Sequence, residues 1–369
     1  MTTNQIYQIV NSVSEQAFGS AALAAVDNQG LIALGNTVLS SSTNTEAFLS
    51  TLAQRIGKTI MDFRRYRNRL ADMVLDDFEY GAILQKIKVH MPEAEADESY
   101  DLTDGVAVDH YKVAKPVVTQ KLFVTRTPYQ FHITIQRVHL KEAFTSAEQM
   151  GGFLAAVFGE VRNAIEICLE ALGRNAIANF VAESQGTARE IALVTEYNTL
   201  GHSLTAATAL QDDAFVRYAI ARINETFDMM QSMTSLFNDG SVERFTPLED
   251  MRVKMLSHFV RFAQTTTQYA AFHEQLVEVD HAFETMPFWQ AAQTPGSISV
   301  ERASDGTTKT VANIIAIIHD RDALGMYKRD EEVLTTPVNA AGMYYNQYWH
   351  CKQLWFNDLS ENFVYFTLN

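Results

Sequence analysis

The residues able to do chemistry are few and poorly grouped. His319, Asp320 and Asp322 stand close together after an apolar run, an order that suits a metal ligand set or a proton relay. A polar turn closing a buried strand explains the same three residues, and that reading is adopted. His350 beside Cys351 joins an imidazole to a thiol in sequence only, because neighbours on a strand point to opposite faces. His202 and Ser203 have no third partner to orient the imidazole. Nucleophile-elbow, phosphate-loop, dinucleotide and zinc-protease motifs are all absent from the sequence. No catalytic residue, cofactor site or metal site is therefore expected. The two cysteines, Cys168 and Cys351, lie in apolar segments without metal-type spacing and read as reduced, buried thiols.

Charge is the stronger signal. Arg64, Arg65, Arg67 and Arg69 crowd around Tyr66 in a chain that is otherwise acidic, with 29 basic against 44 acidic residues and a net charge of -15. Such a balance repels nucleic acid and anionic membrane, so the arginines are expected to form a solvated face or to make a salt-bridging contact. A partner of opposite sign lies nearby in Glu93, Glu95, Asp97, Glu98, Asp101 and Asp104. These carboxylates lack the glycine and terminal glutamate of a calcium loop. They are expected to dock on the arginine cluster of a neighbouring subunit.

Strands must carry that acidic stretch. Ile83, Ile87 and Val89 alternate with Lys86, Lys88 and His90 before it, and Phe131, Ile133 and Ile135 alternate with His132, Thr134 and Gln136 after it. The two runs predict a two-stranded finger with a long polar tip between Pro92 and Pro128. A lone ribbon is marginal in water, so it needs a surface to lie on. Residues 1 to 62 predict an arm, with helical faces at Ile6, Ile9, Val10 and Val13 and at Phe48, Leu49, Leu52, Ala53 and Ile56, joined by a draped polar linker from Ser40 to Asn44. The arm packs either on another subunit or back on its own core.

The longest pattern runs from Ser146 to about Ser184, with Met150, Phe153, Leu154, Val157, Phe158, Val161, Ile165, Leu169 and Leu172 in one stripe. One helix of this length spans roughly 58 Å. Ser146 and Gln149 have capping-box spacing, and Gly151, Gly152 and Gly173 mark places for a bend. Beyond it lies a mixed region from 191 to 330. A helix is expected from Asp212 to Phe237, strands at Val253 to Phe262 and Ile298 to Glu301, and a strand buried on both faces at Val311 to Ile318. Asp305 and Gly306 predict a hairpin turn. The aromatic end, from Tyr344 to Phe366, predicts two strands separated by Asn357 to Asn362 and packed on the long helix. No basic leader is present at the N-terminus, and no apolar run is long enough to cross a bilayer.

This order of parts, with FLSTLAQRIG at 48 to 57, KEAF at 141 to 144 and GMYYNQYWHCKQLW at 342 to 355, resembles the tailed-bacteriophage major capsid proteins, closest to those of small short-tailed phages of Gram-positive hosts. The resemblance covers nearly the whole chain. It implies an α+β fold: an N-terminal arm (1 to 62), an extended β-hairpin loop (63 to 138), a peripheral domain with the spine helix (139 to 190 and 331 to 369) and an α/β axial domain (191 to 330). It further implies hexameric and pentameric capsomers tiling an icosahedral shell around double-stranded DNA, a portal, and assembly in the host cytoplasm. Some relatives carry an intersubunit lysine–asparagine isopeptide bond, but no pair here matches it. Because no long charged helical extension opens the sequence, a separate scaffolding protein is expected. A cellular nanocompartment shell of the same fold, a tail or collar component and a cytoplasmic α/β enzyme are the alternatives.

Overall fold

The computed structural model describes residues 3–19, 24–56, 66–75, 84–92, 94–95, 97–100, 102–107, 111, 113–123, 126–240, 242–270 and 282–369. Three helices open it: α1 (Thr3–Phe18), α2 (Asn28–Leu39) and α3 (Ser42–Ile56). Short strand β1 (Val74–Leu75), the ribbon β2 (Leu84–Val89) and β3 (Val118–Phe123), and the long β4 (Arg126–Gln136) follow. Helices α4 (Arg137–Ala143), α5 (Ala147–Leu154) and α6 (Glu160–Ser184) lead to β5 (Glu190–Ala192), α7 (Leu193–Thr199) and α8 (Asp213–Gln231). Then come β6 (Met251–Leu256), α9 (Ser257–Ala270), β7 (Phe283–Met286), β8 (Ile298–Glu301), β9 (Thr308–Val311) and β10 (Ile314–Asp320). Strands β11 (Leu324–Thr335), β12 (Tyr344–Asn357) and β13 (Phe363–Thr367) end the chain.

The helices α5 and α6 make one nearly continuous rod, joined by a π-helical turn at Ala155–Gly159. Its start follows the capping logic, since Ser146 Oγ accepts from Gln149 N. The irregularity falls at that π-turn and not at the glycines. Gly173 instead serves close packing: a Cβ there would lie 2.7 Å from Leu70 Cδ1 and 2.8 Å from Met326 Sδ. The rod also joins two cores. Met150, Leu154, Phe158, Val161 and Ile165 pack with α1 to α3 and β12, whereas Leu169, Leu172, Ile177, Phe180 and Val181 pack with β10, β11 and β13.

Helices α1, α2 and α3 fold back on that rod. Val10, Val13, Leu31, Leu34, Val38, Phe48 and Leu52 are buried beside Phe144, Met150 and Trp349. The expected draped linker at Ser40 to Asn44 is corrected: Ser40 Oγ donates to Thr37 O at 2.7 Å, and Asn44 N donates to Ser41 Oγ at 3.1 Å. Those polar residues cap two successive helices across a tight corner. Helix α2 was not anticipated, although its signals are present in the Asp27 N-cap, whose carboxylate accepts from Gly30 N, and in Leu31, Leu34 and Val38 at helical spacing.

A five-stranded sheet, in the order β5-β13-β10-β6-β7, has β10 at its centre. Ile315, Ala316 and Ile318 face α8 and α9, while Ile314 and Ile317 face α6. The strand is covered on both sides, as its unbroken apolar run predicts. A register shift between Ile314 and Ala316 turns Ile315 to the α8 side. The hairpin turn at Gly306 (φ 69°) forms as expected, but β9 and β10 are separate strands, parted at Asn313 (φ 60°). Two further expectations are corrected. The strand at 253 to 262 ends at Leu256, because Phe259, Val260 and Ala263 have helical spacing and pack with α8. The helix expected to reach Phe237 ends at Gln231, where Thr246 N takes the free Met230 carbonyl at 2.8 Å.

The second sheet runs β1-β11-β12-β4. It corrects the finger. The run Phe131 to Ile135 belongs to β4 and pairs along β12, from Tyr344 opposite Gln136 to Leu354 opposite Arg126. The partner of β2 is β3, from Leu84 opposite Phe123 to Val89 opposite Val118. A long aromatic strand offers β4 eleven residues of pairing and a buried face, more than β2 can. The aromatic end divides between the sheets, with Trp349 of β12 tilted against Phe158 at 6.0 Å and Phe363 of β13 stacked on Phe180 at 4.1 Å.

Replacing Gly173 with alanine tests the rod's packing. The helix-propensity gain of about 1 kcal/mol opposes an overpacking penalty of about 1–3 kcal/mol. Urea denaturation is expected to show net destabilisation, and a stabilised variant would refute the close approach.

Candidate assembly surface

The ribbon of β2 and β3 is amphipathic in an inverted sense. Lys86 stands opposite Lys121 and Lys88 opposite Thr119, so three lysines share one face. The other face carries Ile87, Val89, Val118 and Leu122. Like charges directly opposite each other destabilise a ribbon unless counter-charges meet them. The counter-charges come from the turn joining β12 to β13. Lys86 Nζ lies 3.1 Å from Asp358 Oδ2 and 2.8 Å from Glu361 Oε1; Lys88 Nζ lies 2.9 Å from each of the same two atoms. Lys121 Nζ reaches Asp358 Oδ1 at 2.9 Å.

That turn is itself built to hold carboxylates. Asp358 N donates to Ala323 O at 2.8 Å, and Ser360 donates to Asp358 Oδ1 from its N at 3.1 Å and its Oγ at 2.7 Å. Lys88 also contacts Ser360 Oγ and is only 5% exposed. Burial would raise the Asp358 carboxyl, but hydrogen bonds from Ser360 and Lys121, the charge of Lys86 and a hydrogen bond from Lys88 hold it far below the usual carboxylate range. Glu361 is likewise held low against its burial by Lys86 and Lys88. Burial would lower Lys86, yet Glu361 and Asp358 raise it above the ordinary lysine value. The three lysines and two carboxylates form an ionic clamp at the root of the finger. Sequence reading missed it, although lysines at alternate positions of β2 and paired acids in the Asn357 to Asn362 link were the available signals.

Beyond the clamp the chain continues as a tip. His90 N donates to Val117 O at 2.9 Å, extending the ribbon by one pair. Tyr100 (90% exposed), Leu102, Tyr111 and Val113 stand in solvent, so the acidic stretch is less purely polar than expected. Glu95, Asp97 and Asp104 are exposed, and Asp97 accepts from Ser99 N and Oγ. Glu93 and Asp101, together with Arg64 and Arg65, lie outside the described residues, and the side chain of Glu98 does so too. The described arginines divide. Arg67 is exposed, whereas Arg69 donates from its N to Glu170 at 3.2 Å and from its guanidinium to Thr285 O at 3.2 Å. Glu170 of α6 also accepts from Tyr66 Oη at 2.7 Å. Arg69 therefore ties its own segment to the rod and to β7.

The candidate chemical residues serve the architecture. His319 is buried and its pKa is lowered to about 4 by burial and by the charge of Lys254, so it is neutral near pH 7. Its Nδ1 lies 2.8 Å from the Asp320 carbonyl, and Asp320 accepts from Thr246 Oγ1 at 2.7 Å and from Asp322 N at 2.8 Å. The three residues close a strand. His350 and Cys351 alternate on β12, with Cys351 buried, and His202 stacks on Tyr197 at 3.9 Å. Among the described residues no group of three or more metal-ligating side chains converges, and no helix is long and apolar enough to cross a membrane.

The clamp makes a prediction with a defined sign. Asp358 and Glu361 titrate below their unfolded values, so their contribution is complete above the unfolded carboxylate range near pH ~4 and is lost as pH falls toward the depressed folded values. Lys86 is raised, so its contribution lasts up to the unfolded lysine value of about 10.4 and is lost as pH rises past it. Hydrogen exchange at 85–89 and 118–122, corrected for intrinsic rates, is expected to be flat from about pH 5 to 9 and to accelerate in acid. Asp358→Asn leaves the buried Lys88 and the half-buried Lys86 short of a partner, at about 3 kcal/mol, and is expected to speed exchange roughly a hundredfold at neutral pH. Unchanged protection would remove the clamp.

Solved structures superpose on this fold over most of the chain. A chain in the capsid structure of Staphylococcus phage Andhra superposes with a TM-score of 0.55 at 10% identity, covering 84% of this chain and 87% of that one. A chain in the structure of head fiber and inner core protein gp22 of native bacteriophage P68 gives 0.55 at 11% identity, with the same coverage. These establish the fold. Comparison with curated protein sequences returns no match. The sequence model of one family, however, extends over residues 6–367, from α1 to the end of β13, and by that match the chain belongs to the Phi29-like phage major capsid proteins, structural proteins of the virion shell and not enzymes.

Proposed function

We propose that this shell-forming protein assembles as hexamers and pentamers into an icosahedral capsid around double-stranded DNA, in the host cytoplasm, with a separate scaffolding protein and a portal as partners. The observation that carries the reading is the clamped finger. It is an element fixed at its root to its own subunit, with an exposed apolar face and a tip that this chain leaves in solvent. A folded monomer gains nothing from such exposure, and repeated neighbours would cover it. The net charge of -15 suits a container that must hold DNA without binding it tightly.

The division of labour follows the same reading. Residues 1 to 62 act as the arm, 63 to 138 as the extended loop apart from β4, which the four-stranded sheet takes, 139 to 190 with 331 to 369 as the peripheral domain, and 191 to 330 as the axial domain. The tip carboxylates, Glu93, Glu95, Asp97, Glu98, Asp101 and Asp104, meet the cluster of Arg64, Arg65 and Arg67 on a neighbour. Arg69 is engaged within its own chain, by Glu170 and the Thr285 carbonyl. Each exposed pair contributes at most about 1 kcal/mol, so the network sets register and rejects wrong partners more than it supplies affinity.

Expression of the chain alone and with its candidate scaffold, followed by light scattering and negative-stain electron microscopy, is expected to give closed uniform shells or hexameric capsomers. A compact small oligomer under both conditions would overturn the reading. In the same assay Arg65→Glu with Arg67→Glu is expected to abolish shells while leaving the thermal melt of the subunit unchanged; normal shells from that variant would dismiss the tip contact.

A further inference from the structure

A second group of charges lies inside the protein, apart from the clamp. Lys254 belongs to β6 and is fully buried. Val253 and Met255 on either side of it pack toward α8 and α9, so alternation along the strand turns Lys254 to the α6 side of the five-stranded sheet. There its Nζ contacts Asp72 Oδ2, on the short turn Ala71–Met73 that precedes β1, and lies 3.7 Å from Glu284 Oε2. Glu284 is on β7, directly opposite Lys254 in the ladder with β6. Leu70 and Met73, beside Asp72, are buried in the apolar core.

The two carboxyl groups are not equivalent. Asp72 makes the close contact with Lys254. Burial raises the Glu284 carboxyl; Lys254 opposes that, and the charge of Asp72 and a hydrogen bond with it push Glu284 up further. Two ionised carboxylates have only acceptors, so that hydrogen bond requires a proton. Asp72 Oδ1 and Glu284 Oε2 are buried with no donor in reach among the described residues, and a proton held by Glu284 is what satisfies the pair. The site therefore holds an amine, a carboxyl in contact with it and a protonated acid beside both.

We propose that Lys254 and Asp72 condense into an amide, an isopeptide bond within one chain, with Glu284 relaying the protons. The ion pair first passes one proton from Nζ to Oδ2, giving a neutral amine and a neutral acid. The Nζ lone pair then attacks Asp72 Cγ while Glu284 donates a proton to Oδ1 and takes one from Nζ. On collapse the Cγ–Oδ2 bond breaks and Oδ2 leaves as water, with a proton from Glu284, which recovers one from Oδ1. One water is lost, nothing is oxidised or reduced, and Glu284 ends as it began. Holding the amine against the carboxyl makes the attack effectively unimolecular. Burial penalises the ion pair and favours the neutral amide. A cavity of about 370 Å³ reaches Glu284, bounded also by Arg67, Asn68 and Thr285, and gives the released water a way out. Asp72 adjoins β1, which pairs with β11, so the bond welds the four-stranded sheet to the five-stranded one across 182 positions of chain. A link over so long a loop restrains the unfolded chain strongly.

The full chain, as purified subunits and separately after assembly with its scaffold, is denatured and digested with trypsin. An amide on Lys254 blocks cleavage there, so mass spectrometry is expected to find residues 253–261 joined to residues 70–86, one water lighter than the two peptides together. Fragmentation is expected to place the junction at Lys254 and Asp72. Glu284→Gln is expected to reduce this branched peptide about tenfold or more and to lower the melting temperature, with the circular dichroism spectrum unchanged. Complete cleavage at Lys254 in both preparations of the unmodified chain, a result that needs no variant to fold, would overturn the bond. An undiminished branched peptide in Glu284→Gln would overturn the relay.

Discussion

A two-stranded ribbon has no interior, so each of its faces must be met by something outside it. That constraint governs the arrangement of this chain. One face of β2 and β3 is met by Asp358 and Glu361, which sit on the turn between the strand that ends one sheet and the strand that enters the other. The finger is thus anchored where β12 leaves the four-stranded sheet and β13 joins the five-stranded one. Any movement of one sheet against the other is transmitted to its root. Asp239, 3.7 Å from Lys121, and Arg244, 3.8 Å from Glu361, add contacts from the loop beyond α8, so the clamp gathers three parts of the molecule at one point.

The rod supplies the matching rigidity on the other side. Its first half is enclosed by the N-terminal helices and β12, its second half by the five-stranded sheet and β11. A helix shared between two cores cannot shift without disturbing both, because interiors packed at crystal-like density transmit displacement. Glu170 marks the changeover. Burial would raise its carboxyl, but Arg174, Tyr66 and the Arg69 N–H hold it below the ordinary value, and through them the segment that precedes the finger is tied to the middle of the rod.

What could be read in the sequence was whatever rests on local period. The capped start of the rod, the doubly buried β10 and the turn at Gly306 all follow from spacing and turn chemistry. Pairing across long separations could not be read this way. Phe131 to Ile135 has the alternation of a finger strand, but alternation reports a half-buried strand without naming its partner, and β12, more than two hundred residues later, took it. The order of parts nonetheless identified the family, because order survives errors of register. The acidic tip and the arginine cluster are dense runs of charge, whereas the members of the clamp are spread over Lys86, Lys88, Lys121, Asp358 and Glu361. Charge density along a chain locates solvated surface more readily than it locates buried ion pairs, whose partners come from separate elements.

The choice of ions for the inner face has its own logic. Buried salt bridges are seldom the most stable option, and apolar side chains of similar volume would hold the ribbon down at least as well. They would also make the two faces alike. A ribbon apolar on both sides has no preferred orientation: rolling over, or slipping by one residue, exchanges equivalent surfaces and exposes an unpaired edge to any copy nearby. With lysines on one face and Ile87, Val89, Val118 and Leu122 on the other, only one orientation satisfies the carboxylates at the turn. The ions therefore decide which face is presented, and presentation is what a shell subunit needs when identical copies must recognise one another in a single way.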